Sequence, residues 1–226
     1  MILQNFARFS MMSALAVFLV TLMLLVDSAL AGTFRDDFED GNLNGWEEFD
    51  LGRDGKVEEK GGELVVTDTN RSFVTLAFFN NGQILKDFTL IFDAKMAKAI
   101  ANFDPYMWIV FRFNFGAWGV NAYGPGDPKN TWLYVFQPIQ LFGTAKFPLV
   151  FRVDRWYRIK LEMKGVQVTL WVDGKLMGKV NWENQPLPKS GQVGLGGGGV
   201  EVHFDNFVIT GDEVSDGGPG GFAVAP

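Results

Sequence analysis

Hydrophobic and polar residues alternate with a period of two along most of the chain after residue 31. The clearest stretch is 156–179, WYRIKLEMKGVQVTLWVDGKLMGK, in which Lys164-Gly165 and Asp173-Gly174 separate three alternating runs. Alternation of this kind predicts strands with one buried face, and glycine supplies the positive φ that tight hairpin turns need. The stretch therefore predicts a three-stranded β-meander.

Similar runs rich in Val, Ile, Phe and Tyr recur between clusters of Gly, Asn and Asp. No segment beyond residue 31 has a convincing 3.6-residue period. The predicted strands are 34–39, 56–59, 63–67, 73–79, 88–96, 106–115, 131–136, 140–142, 156–163, 166–172, 175–180, 192–195 and 200–210. Strands at this spacing, joined by Gly-rich turns, predict an all-β fold, a two-sheet antiparallel jelly-roll β-sandwich.

The first 31 residues follow a different pattern. Arg8 precedes an apolar run of about 16 residues, 11–26, and Ala29-Leu30-Ala31 has the A-x-A form of a cleavage site. This order predicts a signal peptide over 1–31, since the run is short for a bilayer-spanning helix. Cleavage near Ala31 would make the chain secreted, periplasmic or cell-surface. The alternative is an uncleaved membrane anchor.

Composition narrows the choice of class and partner. Removal of the first 31 residues leaves 195, enough for one domain over 32–210, followed by a flexible Gly/Pro-rich tail over 211–226. The chain has no cysteine, so disulfides do not stabilise it. Its formal net charge is −6 with scattered acids, which argues against nucleic acid or an anionic membrane as partner.

Three segments resemble the concanavalin A-like lectin/glucanase superfamily, particularly the laminin-G-like jelly rolls of bacterial exported proteins. They are DDFEDGNLNGWE (36–47), WYRIKLEMKGVQVTLWVDGKLMG (156–178) and GQVGLGGGGVEVHFDNFVI (191–209). The resemblance implies the jelly-roll fold over roughly 34–210. Because the superfamily includes lectins, carbohydrate-binding modules, adhesion domains and glycoside hydrolases, it does not select a function.

Catalytic patterns are missing from the sequence. The E-x-D-x-x-E strand of retaining glucanases with this fold does not occur, and the single histidine, His203, removes most Ser-His-Asp, Cys-His and multi-His zinc arrangements. Jelly rolls similar to this one act on keto-disaccharides, but no residue pattern can be carried over from them. We therefore predict no catalytic residue. A hydrolase with carboxylates on separate strands stays as an alternative.

An acidic turn at the start of the domain suggests a calcium ion, which binds six to eight oxygen ligands. In similar jelly rolls a structural calcium often joins the first strand to an aspartate on the last strand. The resemblance implies one structural Ca²⁺ held by Asp37, Asp40 and Asp205, with carbonyls from 41–45. The alternative is a solvated acidic turn, with Asp205 bonded to backbone amides.

The strand 106–115, YMWIVFRFNF, carries the sharpest candidate binding surface. One face, which includes Phe113, is apolar and is predicted to enter the core. The other presents aromatic and polar groups about 7 Å apart, a combination that stacks on the C–H face of a sugar and bonds its hydroxyls. The predicted ligand-binding residues of this strand are Tyr106, Trp108, Arg112 and Asn114. Asp93 on a neighbouring strand, Trp118 in a long loop (116–130), and Trp132 and Tyr134 on the next strand complete the set.

The sequence thus predicts an exported, non-catalytic, lectin-like module whose partner is an oligo- or polysaccharide. One alternative is a glycoside-acting hydrolase with dispersed carboxylates. The other is a structural or adhesion domain that contacts cell-surface proteins, which would be favoured if loops covered the outer face of 106–114.

Overall fold

Period-two runs of β-branched and aromatic residues form strands throughout the part of the chain that the structure describes. The structure is a computed structural model, and it describes residues 31–69, 74–79, 84–100, 105–113, 118–123, 132–137, 140–149, 151–181 and 189–214. For 118–123, 132–137 and 140–148 only the backbone is described. The predicted signal peptide, apart from Ala31, and most of the predicted tail lie outside these residues. No helix in the described ranges is long and apolar enough to cross a membrane.

Fifteen strands lie in the described ranges, and they belong to one compact unit, Gly32–Pro226. They are β1 Gly32–Asp36, β2 Trp46–Asp50, β3 Gly55–Glu59, β4 Leu64–Asp68, β5 Thr75–Phe79, β6 Phe88–Ala99, β7 Tyr106–Phe113, β8 Trp118–Tyr123, β9 Trp132–Gln137, β10 Gln140–Pro148, β11 Tyr157–Lys164, β12 Gln167–Val172, β13 Lys175–Asn181, β14 Gln192–Gly198 and β15 Val200–Gly211.

The strands form two antiparallel sheets. An eight-stranded sheet has the order β13-β12-β11-β6-β15-β4-β3, with β1 also paired to β15. A seven-stranded sheet has the order β10-β9-β8-β7-β14-β5-β2. The chain crosses repeatedly between the two sheets, so many strands pair with strands that are far away in the sequence. This topology confirms the predicted jelly-roll β-sandwich.

The core lies between the two sheets, and alternation decides which side chains enter it. In β6 every second residue from Phe88 to Met96 is buried, while the residues between them are partly exposed. Phe34, Trp46, Phe79 and Phe207 form an aromatic cluster inside the sandwich, with ring centroids 4.7 to 6.3 Å apart. Each such ring stabilises the fold by about 1.5–3 kcal/mol relative to an exposed position.

The predicted meander is present as β11, β12 and β13. Its first turn is Gly165-Val166, one residue later than predicted, and Gly165 has a φ of 54°. In the second turn Asp173 and Gly174 have φ values of 50° and 75°. A positive φ at only the first turn residue is typical of a type II′ turn, as in the first turn here. Positive φ at both residues is typical of a type I′ turn, as in the second. Both types match the twist of the paired strands.

Three predictions about strands differ from the structure. Residues 116–130 were expected to be a loop, but β8 lies within them. Residues 46–50 form β2, although no strand is predicted there. The strands β6 and β7 were predicted to be neighbours, and that prediction is wrong because they lie in different sheets.

Candidate functional site

An aromatic layer covers part of the outer face of the seven-stranded sheet. Val74, Leu76, Phe78 and Val110 are buried there, outside the main core. The half-buried side chains of Phe49, Tyr106, Trp108 and Phe113 pack against them, and we call these four residues the aromatic face. Ring centroids of Phe49, Phe78 and Phe113 lie 4.9 to 6.0 Å apart. The aromatic face therefore presents rings to a ligand, and the buried side chains beneath hold these rings in place.

Glycines in β14 allow this packing. A Cβ atom added at Gly194 would lie 2.8 Å from both Phe78 Cδ1 and Val110 Cγ2. These two side chains come from β5 and β7, on either side of β14, and they meet over the glycine. Because Gly194 has no side chain, Phe78 and Val110 can pack against each other over β14.

A β-bulge changes the outward side chains at the end of β7. Arg112 has a φ of 49°, and the register against β14 shifts between Gln192 and Gly194. Phe113 therefore packs on the aromatic face and not in the core, where alternation had placed it. The predicted outward position of Arg112 is wrong for the same reason, since a bulge adds one residue and reverses the alternation.

Arg112 is buried and has its own partners. Its Nε and Nη2 donate to the carbonyl oxygen of Lys86 at 2.9 and 2.6 Å, and Nη2 also donates to Asp87 Oδ1 at 3.1 Å. Burial lowers the pKa of the guanidinium, and Asp87 counteracts that effect. These contacts join the start of β6 to the end of β7, which is a positioning role within the fold.

The backbone register places positions of β8 and β9 in line with Trp108. Asn121 lies opposite Trp108, and Tyr134 lies opposite Asn121, so three neighbouring strands contribute to one cross-strand row. Trp132 is two residues from Tyr134 on β9. Trp118 is in register with Phe111, a core residue, and not with Trp108. Asn114 lies outside the described residues.

Asp93 is not brought together with the aromatic face, because β6 belongs to the eight-stranded sheet. Its Oδ2 accepts from Arg158 Nη1 at 3.0 Å and from Asn206 Nδ2 at 2.9 Å. Asp205 lies beside it in register, and burial with nearby Asp93, Glu63 and Glu39 raises the pKa of Asp205. Asp93 is thus part of a polar network on the opposite side of the sandwich.

The acidic turn directs Asp36 inward, and the predicted calcium ligands stay at the surface. Asp36 is buried, and its carboxylate accepts from Trp46 Nε1 at 2.8 Å and from the Phe38 amide at 2.9 Å. Asp37 and Asp40 are exposed and accept from backbone amides two residues ahead. Within the described ranges no three His, Cys, Asp or Glu side chains are grouped to hold a metal ion. The calcium site stays a prediction.

Two further ionisable groups were not among the predicted site residues. Burial, together with the charges of Asp40 and Asp36, raises the pKa of Glu59 to about 7. On the outer face of the eight-stranded sheet, His203 contacts Glu63 through Nδ1, and its Nε2 lies 3.0 Å from Glu201 Oε1. His203 is half-buried between buried Val202 and Phe204 in β15, and the approach of Glu63 from another part of the chain gave no local signal.

The chain belongs to the family of 3-keto-alpha-glucoside-1,2-lyase-like domains, whose family model matches residues 33–210. This match covers almost the whole described sandwich. No match was found among curated proteins.

Solved structures with the same fold include proteins connected with carbohydrates. The carbohydrate-binding module CBM66 from Bacillus subtilis is similar with a TM-score of 0.57 and 16% identity, covering 74% of this chain and 95% of that one. The Crh5 transglycosylase in complex with NAG has a TM-score of 0.59 and 12% identity over 84% and 86% of the chains. The cellulose induced protein Cip1 has a TM-score of 0.59 and 14% identity over 81% and 99%. At these identities the likeness defines the fold alone, and the laminin-G-like subtype stays a prediction.

Proposed function

We propose that this domain binds α-glucosides, in particular 3-keto-α-glucosides, on the aromatic face and does not cleave them. Membership of the 3-keto-alpha-glucoside-1,2-lyase-like family supports the ligand class. The observation that carries the binding mode is the half-buried ring of Trp108, held with Tyr106 over buried aliphatic side chains. A ring fixed in this way can stack on the C–H face of a pyranose without losing much side-chain freedom.

The chemistry of the aromatic face supports binding without cleavage. Glycoside cleavage needs an acid and a base at the scissile bond. The described side chains that pack in the aromatic layer are aliphatic or aromatic, and the arginine predicted for this face is directed to Lys86 and Asp87. Acid–base groups would have to come from elsewhere in the sandwich. Export, as predicted from the first 31 residues, would bring the domain to extracellular or periplasmic glycosides.

The test is binding of the purified protein to a glycan panel that includes methyl 3-keto-α-glucopyranoside. We expect binding that weakens about tenfold in Trp108→Ala, which corresponds to about 1.4 kcal/mol. Trp156→Ala is the matched control, since Trp156 is also half-buried but lies directly before β11 of the other sheet. Equal losses in the two variants, with both folded, would contradict the assignment of the site. No binding to any glycan would contradict the proposal as a whole.

The second candidate is a 1,2-lyase, and the family match favours it. In such a reaction a base removes the C2 proton, which the C3 ketone acidifies, the C1–O bond breaks, and the departing oxygen takes a proton. The Glu63–His203–Glu201 group is the described cluster whose residue types could move these protons. Conversion of methyl 3-keto-α-glucopyranoside to an unsaturated ketone and methanol, lost in His203→Ala, would support this candidate and exclude the first.

A further inference from the structure

A row of outward positions crosses five strands of the eight-stranded sheet. The register aligns Arg35 of β1 with Val208 of β15, Val208 with Ile91 of β6, Ile91 with Lys160 of β11, and Lys160 with Trp171 of β12. We call these five positions the basic row. All are exposed or half-buried, while their neighbours along each strand are buried. With strands about 4.8 Å apart, the row is about 19 Å long, and Arg35 and Lys160 are about 14 Å apart.

The two cations of the basic row form no ion pair with the described residues. Arg35 is exposed and forms no ion pair with any carboxylate of the described ranges. Lys160 places Nζ 4.6 Å from the centre of the Trp171 ring and likewise has no ion pair there. Two acids on this face are paired with other cations, Asp93 with Arg158 at 3.0 Å and Glu162 with Lys164 at 2.5 Å.

A cavity of about 410 Å³ lies at the Arg35 end of the row. Arg35, Arg158, Asn206 and Val208 contribute to its lining, together with Asp37 at the exposed turn. Asn206 has a φ of 51°, and Asp93 and Asp205 both accept from its Nδ2, so its side chain is held in place. Asp36 also lines the cavity, but its carboxylate already accepts hydrogen bonds from Trp46 Nε1 and the Phe38 amide. The cavity therefore presents the guanidinium of Arg35 and a fixed amide, together with the guanidinium of Arg158, which is paired with Asp93, and the carboxylate of Asp37.

The segment that supplies Lys160 and Trp171 of the row differs in charge from the whole chain. Residues 155–181 carry six Lys and Arg and two Asp and Glu, a local net charge of +4, while the chain carries −6. Local positive potential of this kind attracts an anionic ligand even to an acidic protein. The acidity of the chain therefore does not exclude an anionic partner at this face.

We propose that the basic row is a second saccharide site, which binds an acidic polysaccharide through its uronate carboxylates. A planar guanidinium matches a carboxylate with two parallel hydrogen bonds, which assigns one uronate to Arg35 in the cavity. Val208 and Ile91 provide apolar contact for the C–H groups of the sugars that follow. Lys160 meets a later carboxylate, with Trp171 beyond it at the end of the row.

Affinity electrophoresis or calorimetry with polygalacturonate tests the proposal, and dextran serves as the neutral polymer. We expect polygalacturonate to bind and dextran not to bind at this face. The variants Arg35→Ala and Lys160→Ala should each weaken polygalacturonate binding about tenfold. The matched control is Lys175→Ala, an exposed lysine of β13 outside the row, which should weaken binding less than twofold. Thermal unfolding of each variant checks that the fold is intact.

Several results would overturn the proposal. Equal losses in the three folded variants would mean that charge alone, and not the row, attracts the polymer. Displacement of polygalacturonate by millimolar inorganic phosphate would indicate a simple anion site without saccharide contacts. Absence of polygalacturonate binding would overturn it directly, and neutral glucosides would still test the aromatic face separately.

Discussion

The buried pair of Asp36 and Trp46 gives a quantitative prediction about stability. The indole Nε1 donates to Asp36 Oδ2 at 2.8 Å, and both side chains are buried between β1 and β2. In Trp46→Phe the ring contacts with Phe38, Phe79 and Phe207 largely remain, while the donor is removed. A hydrogen bond to a charged group contributes about 1.5–3 kcal/mol, so we expect a loss of about 2 kcal/mol at pH 7. For a chain of this size that is about 4–8 °C in Tm.

The same pair predicts a pH dependence with a definite sign. Burial raises the pKa of Asp36, while the bonds from Trp46 and Phe38 lower it. Loss of the indole donor should therefore raise that pKa further, so the ionised carboxylate becomes more costly in the folded state. The destabilisation by Trp46→Phe should be largest at pH 7 and should shrink as the pH falls and Asp36 takes up a proton.

Thermal and urea unfolding at pH 4 and pH 7 measures both effects. Trp171→Phe is the control, because it makes the same chemical change at a half-buried indole and should cost less than about 1 kcal/mol. An equal loss of stability at pH 4 and pH 7 would refute the reasoning about the carboxylate. Equal losses in the two tryptophan variants would refute the role of the hydrogen bond.

Two other predictions concern single side chains. The pKa of Glu59 is about 7 in the folded protein, against 4.5 ordinarily, so its ionisation opposes folding and its contribution to stability falls as pH rises from about 4.5 to 7. At pH 8 Glu59→Gln should therefore be more stable than the parent, by about 1 kcal/mol after allowance for solvent screening. At pH 4.5 the two proteins should be equally stable, and urea unfolding at both pH values measures the difference. Gly194→Ala should lower the free energy of unfolding in urea by about 1–3 kcal/mol and weaken glucoside binding, because its Cβ would lie 2.8 Å from Phe78 and Val110. If neither stability nor binding changed, the packing described would be contradicted.

Local patterns were sufficient for the fold. Alternation and turn glycines identify the meander, and the buried positions of β6 agree with the period-two pattern of 88–96. Both depend on interactions between residues close in sequence or on one strand. The strand β8 was missed because Gly, Pro and Asn residues surround it, and these are typical of loops.

The candidate site was harder to predict, because it depends on contacts between distant strands. A bulge at Arg112 reverses alternation, and its positive φ at a non-glycine residue leaves no signal in sequence. Consecutive strands pair more often than not, which made β6 an expected neighbour of β7, yet the chain crosses to the other sheet between them. Phe49 and Phe78 enter the aromatic layer from β2 and β5, whose places in the sheet the sequence does not specify.

The most direct test of the central claim is to observe the indole N–H resonances of the protein while methyl 3-keto-α-glucopyranoside is added. Assignment by single Trp→Phe variants separates Trp108 on the aromatic face from Trp156 and Trp171 on the other sheet. We predict a saturable shift of the Trp108 signal, with those of Trp156 and Trp171 unchanged. A saturable shift at Trp156 or Trp171 without one at Trp108 would place the glucoside on the wrong side of the sandwich and contradict the account.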